Sequence, residues 1–351
     1  MSKVIYQFGS LAGWPYVLAK GLREKGVPSI NIISDSLDKG GATNSIGKSN
    51  RKLHYDECLH DASHGWLRRL FNRFWLVLRI LRTGRVVHYH GGTILPYNLD
   101  VWIFKKFGIP TIITWGGGDA RIIEVASSIN PYFFRYQEPE KDKNIRRMLS
   151  RLSKFGVKVA TDPEMTLYMK GYFDEVHAFR PPIFMDELHC VYPREDRKPI
   201  FLHIPTHPFV KGTVHIKKAF EKLQKEGLEF EPVLLESNMT QKEVRKRISE
   251  CDVYVDELRC GSYGYTAIEA AGSGKPTLTY IIDEIIPKFP EDLPFVNTNA
   301  DNLYENLKWL IQDSEARKQI GEKSRRYVEK YHAAEVVVQD MIDLYERVSR
   351  N

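Results

Sequence analysis

The chain has 351 residues, enough for two domains of ordinary size, each with its own core. Hydrophobic residues make up 42% and charged residues 27%, the composition of a soluble globular protein. The net charge of +6 suits an anionic ligand or an anionic membrane surface and does not by itself indicate nucleic acid.

Val4–Phe8 reads as a first strand, followed by a loop from Gly9 to Gly13. Trp14–Gly26 reads as a helix with Pro15 in its first turn, where a missing N–H does no harm. Ser29–Ile33 is a second strand. This opening is Rossmann-like, although Gly9 and Gly13 do not make the dinucleotide fingerprint. Residues 36 to 64 are polar and glycine-rich and carry no clear assignment.

Trp66–Leu81 is the most amphipathic stretch. Leu67, Leu70, Phe71, Phe74, Trp75, Leu78 and Leu81 share a helical face, and Arg68, Arg69, Arg73, Arg79, Arg82 and Arg85 carry charge that no nearby acid in the sequence offsets. Burial of the apolar stripe against a sheet is one reading. The other is a helix resting on anionic lipid headgroups, with Trp66, Phe71 and Trp75 in the interface. Val86–His90 is a strand with His88 and His90 on one face; lacking a third ligand, they suit a structural or substrate-facing role better than a metal site. A helix over Leu95–Phe107 and a strand over Pro110–Trp115 lead into Gly116-Gly117-Gly118-Asp119-Ala120-Arg121. Three glycines at the carboxyl end of a strand let a ligand approach the backbone. Lys141–Arg151 is polar and basic, and Val157–Thr161 is a strand.

Pro181, Pro182 and the charged run before Lys198 place a linker at 183–198, between domains at 1–182 and 199–333. The second domain reads as strand Ile200–Ile204, loop Pro205–Val210, and a helix from Lys211-Gly212-Thr213 to Lys225. Strand Phe230–Leu235 and helix Gln241–Glu250 follow. Then comes strand Val253–Val255, a glycine turn, a helix from Gly264 and strand Thr277–Ile281. A helix N-terminus after a tight turn suits a diphosphate, and Glu269, about one and a half turns in, is placed to reach a ribose hydroxyl. Asn302–Gln312, Glu315–Tyr331 and Glu335–Val348 read as helices, the last (within 334–351) expected to return to the first domain. Gly272-Ser273-Gly274-Lys275-Pro276 is not a P-loop, because Glu269 and Pro276 stand where it needs glycine and Ser/Thr. Four cysteines without paired or metal-ligand spacing, no leader-like start and no membrane-length apolar run lead to an expectation of a cytoplasmic protein.

Two α/β halves, the Ala12-Gly13-Trp14-Pro15-Tyr16 loop, the Trp115–Arg121 stretch and the Lys211-Gly212-Thr213 turn resemble GT-B glycosyltransferases. Asp256-Glu257-Leu258, Tyr263-Gly264 and Glu269-Ala270 are similar to a subgroup of the retaining, family 4-like branch common in bacterial polysaccharide and glycolipid synthesis. The resemblance implies an α/β fold of two Rossmann-like domains facing a cleft, and sugar transfer from a nucleotide-diphosphate sugar to a saccharide or lipid-linked acceptor. It further implies retention of configuration, with neither metal nor cofactor. It assigns Asp119, Arg121, Lys211 and Glu269 to catalysis. Donor binding would fall to Lys211, Gly212, His207, Tyr263, Gly264, Tyr265 and Glu269, and the acceptor side to Gly13, Trp14, Gly117 and Gly118. Three positions depart from the pattern: Gly261 replaces the first of two paired glutamates, Gly116 a histidine, and Pro208 lies near an expected basic residue. Those departures keep a second reading open, a catalytically weak GT-B protein that binds nucleotide-sugars or serves as a partner subunit. An epimerase or phosphorylase on the same fold is a third.

Overall fold

The computed structural model describes residues 3–35, 54–59, 63–133, 138–205, 207–235 and 239–350. Most of the unassigned stretch at 36–64 lies outside them. The first half is a seven-stranded parallel sheet in the order β3-β2-β1-β4-β5-β6-β7. Its strands are β1 (Val4–Phe8), β2 (Ser29–Ser34), β3 (Glu57–Leu59), β4 (Gly84–His90), β5 (Thr111–Thr114), β6 (Lys158–Thr161) and β7 (Val176–Ala178). The second half is a five-stranded parallel sheet, β12-β11-β10-β8-β9. Its strands are β8 (Ile200–His203), β9 (Glu231–Leu234), β10 (Val253–Val255), β11 (Thr277–Thr279) and β12 (Val296–Asn297). The central strands are apolar on both faces, as a parallel sheet covered by helices on each side requires.

Helices α1 (Trp14–Glu24), α2 (Trp66–Thr83), α3 (Leu99–Lys106), α4 (Ile123–Ile129), α5 (Pro139–Lys154) and α6 (Thr166–Met169) surround the first sheet. The second carries α7 (Pro208–Lys211), α8 (Thr213–Lys225), α9 (Gln241–Glu250), α10 (Tyr265–Gly272), α11 (Leu303–Gln312) and α12 (Ser314–Tyr331). The last helix, α13 (Ala334–Arg350), packs on the first sheet: Val337, Val338 and Met341 share a core with Leu18, Leu22 and Val86. Leu188, after the crossing, packs with Ala267, Ile268 and Val328 of the second half.

Three helices differ from the sequence reading. The one expected from Leu95 begins at Leu99, because Tyr97 and Asn98 take positive φ (57° and 59°) and break the repeat. The basic run at 141–151 is the middle of α5, whose Ile145, Leu149 and Leu152 face the core while its charges point outward. For α2 the burial of the predicted stripe does not hold. The face against the sheet is Leu76, Val77 and Ile80, and no residue from 66 to 75 is buried. Nor are all its arginines unpaired, since Arg79 meets Glu57 of β3 at 2.6 Å.

His88 and His90 are structural. His88 bonds Tyr345 and Thr114, both at 2.8 Å, and His90 bonds Gln7 at 2.7 Å and accepts the Trp14 indole N–H at 3.1 Å. This buried network ties α13 and α1 to the sheet, and full satisfaction is what makes it tolerable. Burial holds His88 down to about 3 and His90 well below its ordinary value. Burial also holds His203 and His332 to about 4, against partial opposition from the carbonyls of Val255 and Pro181. Because each folded value lies below the unfolded one, the unfolded chain binds more protons between the two, so stability is full above about pH 6.5 and falls as pH drops. Each histidine contributes about 1.4 kcal/mol per pH unit in that window. Urea unfolding is therefore expected to show a plateau from pH 8 to 7 and a steep decline below 6. A flat profile down to pH 5 contradicts this account.

Candidate active-site cleft

Both sheets reverse their strand order, the first between β1 and β4, the second between β8 and β10. Ligands of open α/β sheets bind at the carboxyl ends of strands at such switch points. In the first half, that edge carries the Gly9–Trp14 loop and, after β5, the Gly116–Arg121 loop. In the second it carries Lys211, after β8, and Asp256, after β10.

The second half supplies the densest chemistry. The Lys211 ammonium lies 2.8 Å from Asp256 Oδ1 and 2.9 Å from Glu257 Oε2, with side-chain exposures of 13%, 1% and 7%. Burial opposes the charge of Lys211, but the two carboxylates outweigh it and hold its pKa well above the ordinary lysine value. Glu257 is raised by burial and, against the pull of Lys211, by its neighbour Asp256. Gly264 caps α10, and its amide donates to Asp256 Oδ2 at 3.2 Å. A Cβ there would stand 3.3 Å from both Lys211 Nζ and Asp256 Oδ2, so a glycine lets the helix start close upon the pair. Lys211 and Gly264 therefore meet, as the sequence implied. The acids that hold them sat unassigned in the Asp256-Glu257-Leu258 motif. Gly212 takes φ +76° between α7 and α8, and the exposed His207 caps α7, its carbonyl accepting the Lys211 amide at 2.9 Å.

Other predicted positions fall differently. Tyr263 is assigned to the diphosphate through its backbone amide, and its side chain turns inward: the hydroxyl bonds His332 Nε2 at 3.1 Å and the ring packs on Phe295. Tyr265 donates to the Pro182 carbonyl at 3.1 Å, and its ring lies 6.3 Å from that of Trp14, bringing the two halves' loops together. Glu269 is fully buried rather than at the mouth. Its Oε1 accepts from Arg245 Nε and Gln241 Nε2, both at 2.9 Å, while its Oε2, also buried, has no partner among the described residues. Arg245 in turn reaches Glu187 at 2.6 Å. Sequence reading left Arg245 among the charges of α9; its spacing from Gln241, one turn on the same face, was the available signal.

On the first half, Gly13 caps α1 with φ +85°, and the exposed Asp119 accepts the Gly117 amide at 3.0 Å, folding the Gly117–Gly118 turn. Arg121 does not project freely. It forms a two-pronged pair with Glu164, both bonds 2.7 Å, and the Glu164 field outweighs burial to keep it charged. Its field reaches Cys260 and Glu257 of the other half. Asn130 spans the cleft, donating to the Arg259 and Cys260 carbonyls at 2.9 and 3.3 Å. Two of the three departures from the pattern, at Gly261 and Gly116, have a steric basis. Gly261 has φ +95°, and a Cβ would lie 2.8 Å from Ile282 Cγ1, so this loop cannot hold a glutamate there. At Gly116 a Cβ would lie 2.2 Å from Leu11 Cδ2, so a histidine needs a smaller partner at 11.

Asp162, at the end of β6, was not anticipated. Burial and the nearby Glu164 push it up to about 7. A folded value above the unfolded one means that its stabilising contribution is full below about pH 4 and lost as pH rises through 7, opposite in sign to the histidines. Its Oδ1 accepts the Glu164 amide at 2.9 Å, a bond that asparagine can keep. Asp162→Asn is expected to raise the Tm at pH 8 by several degrees and to change it little at pH 4. An equal shift at both pH values would remove the carboxylate from the explanation.

No protein-family model and no curated protein sequence matches this chain. Solved structures do. The sucrose-phosphate synthase of Thermosynechococcus elongatus superposes with a TM-score of 0.63 at 13% identity, covering 99% of both chains. Anabaena HepE in complex with UDP and glucose gives 0.65 at 12%, covering 99% of this chain and 100% of that one. The UDP-GlcNAc 2-epimerase of Neisseria meningitidis, bound to UDP-GlcNAc, gives 0.59 at 13%, covering 98% and 100%. At such identities the likeness speaks for architecture, over essentially the whole chain. Two parallel α/β domains, switch points turned to a shared cleft and a last helix returned to the first domain are the GT-B fold.

Proposed function

We propose that the protein is a glycosyltransferase of hexosyl type that moves a sugar from a nucleotide-diphosphate sugar to a saccharide or lipid-linked acceptor. The observation that carries this is the Lys211 ammonium set beneath Gly264 at the start of α10, at the β8/β10 switch point. In the reaction, the bond from the anomeric carbon to the diphosphate oxygen breaks and its electron pair stays with the diphosphate. A bond to the acceptor oxygen forms, and the acceptor proton passes to the departing phosphate. Lys211 and the helix N-terminus stabilise that developing charge. Glu269 Oε2, fully buried in the free protein, accepts a ribose hydroxyl once the side chains that cover it move aside on binding, and Gly13, Trp14, Gly117 and Gly118 form the acceptor wall. Retention of configuration and independence of metal are part of the proposal. The decisive experiment incubates the protein with a panel of nucleotide-sugars and saccharide or lipid-linked acceptors, with and without EDTA, and reads the product anomer by NMR. Release of nucleoside diphosphate in no combination would sink the assignment.

A second reading has its own observation. Lys211 is matched by two carboxylates, so the buried trio carries net negative charge where a diphosphate would sit. That favours a protein that binds nucleotide-sugars without turning them over. Thermal protection by a nucleoside diphosphate with no transfer identifies it. Epimerisation of the donor without acceptor would identify a reaction like that named for the Neisseria structure.

We also propose a peripheral position on the cytoplasmic face of a membrane, through the exposed aromatic half of α2. Charge reversal at Arg68 and Arg82, both exposed, is expected to release the protein from anionic vesicles.

A further inference from the structure

The contact proposed for α2 continues across two more helices. In the first sheet the β3-to-β4, β4-to-β5 and β5-to-β6 connections all run in one direction, so right-handed crossovers put α2, α3 and α5 side by side on one face. One core confirms it: Val77 and Ile80 of α2, Val101 and Phe104 of α3, and Leu149 and Leu152 of α5 pack together, whereas α1 and α13 share the core on the other face. Lys105 of α3 donates to the Lys154 carbonyl of α5 at 2.9 Å, tying the layer together.

The outer side of this layer is aromatic and basic at once. Trp66 is 72% exposed and Phe71 60% on α2, while Trp102 is 43% and Phe107 70% exposed on and beside α3. Alongside them α5 lines an open groove of about 810 Å³ with Lys143, Arg146, Arg147, Arg151 and Lys154. The acids in that groove are already engaged. Asp142 accepts the Ile123 and Glu124 amides at 2.8 Å each, and Glu124 pairs with Arg146 at 2.8 Å. Arg151 lies over the exposed Tyr97 ring, 5.7 Å from its centroid.

We infer that α2, α3 and α5 form one docking face for an anionic bilayer, with Trp102 and Phe107 entering the interface and the α5 groove taking lipid phosphates. The occupant follows from chemistry. Large aromatic rings with surplus arginine and lysine match the headgroup layer, where rings lie among the glycerol backbones and long cations reach the phosphates. Double-stranded nucleic acid satisfies the cations but keeps its bases stacked inside and leaves Trp66, Phe71 and Phe107 in water. The face also bears on the acceptor class. The N-terminal ends of these helices lie at the carboxyl edge of the sheet, where the cleft is, so a layer held against the bilayer brings that edge to a lipid-linked acceptor. That step rests on the glycosyltransferase reading, whereas the docking itself does not.

The test uses the whole chain, vesicles of phosphatidylcholine with and without phosphatidylglycerol, and α2 intact. Wild type is expected to sediment with the anionic vesicles and to lose that binding in high salt. Arg147→Gln/Arg151→Gln is expected to weaken binding about thirtyfold, from two charges near the surface. Trp102→Ala/Phe107→Ala is expected to weaken it at least tenfold and to reduce the blue shift of tryptophan emission to the share that Trp66 and Trp75 contribute. Far-UV CD and thermal stabilisation by nucleoside diphosphates, unchanged in both variants, would show that the fold and the donor site persist. Undiminished vesicle binding in both variants confines docking to α2 and overturns the three-helix face. Equal binding to both vesicle types, or binding to neither, overturns it as well. Binding to an acidic polymer such as heparin but not to vesicles replaces the lipid by another polyanion.

Discussion

Replacing Lys211 by alanine is expected to lower turnover with any accepted nucleotide-sugar by about a hundredfold to a thousandfold, the loss typical of one fixed donor at a developing oxyanion. The same change should cost about 3–5 kcal/mol of stability, because it leaves Asp256 and Glu257 buried together without a cation. The two effects are separable. In Lys211→Ala/Asp256→Asn/Glu257→Gln the stranded charges are gone, so stability should recover most of that loss while turnover stays low. Urea unfolding and steady-state rates on the same preparations check both. Recovery of turnover along with stability would show that the lysine serves only to hold the fold, and the proposed role at the diphosphate would fail.

Glu269→Gln is expected to weaken binding of the accepted nucleoside diphosphate about tenfold or more, the worth of one hydrogen bond to a charged group. The buried Glu269 Oε2 has no partner among the described residues, a state that proteins seldom keep without a ligand to satisfy it. The stability change should be smaller than for Lys211→Ala, since Arg245 retains Glu187 at 2.6 Å and the glutamine amide oxygen can still accept from Gln241. Calorimetric titration of the variant checks the affinity, with Arg245→Gln as a companion. Arg245→Gln should leave affinity closer to wild type if Oε2 makes the ligand contact. Unchanged affinity in Glu269→Gln would make the carboxylate a structural partner of α9 and nothing more.

Much of the architecture was legible in the chain. Val4–Phe8, Val253–Val255 and Gln241–Glu250 have the bounds that their patterns predict. Short apolar runs between turn residues leave a buried parallel strand few alternatives. The Lys211 turn and the Gly264 cap were also visible, because each depends on local backbone chemistry. The site's acids were not. Asp256, Glu257, Asp162 and Glu164 look like ordinary charges in sequence, and their importance comes from burial, which no local pattern reports. The α2 stripe failed for a related reason: helical periodicity identifies an apolar face, but not whether a sheet lies beneath it.

By itself, then, the sequence determined most of the longer elements and their alternation, and hence two parallel sheets, since propensity, turn chemistry and crossover handedness act over short stretches. Short pieces such as Glu57–Leu59, Val176–Ala178 and Val296–Asn297 carried no such signal. Tertiary structure decided which charges meet. Lys211 lies 45 residues from Asp256 and Arg121 lies 43 from Glu164; the first pair meets at the β8/β10 switch point and the second past the carboxyl ends of the neighbouring strands β5 and β6. It also decided that Glu269 faces α9, that Arg121 is bound rather than free, and that the aromatic half of α2 stands outside the core. These are questions of desolvation and pairing across the fold, and a chain read residue by residue carries no record of them.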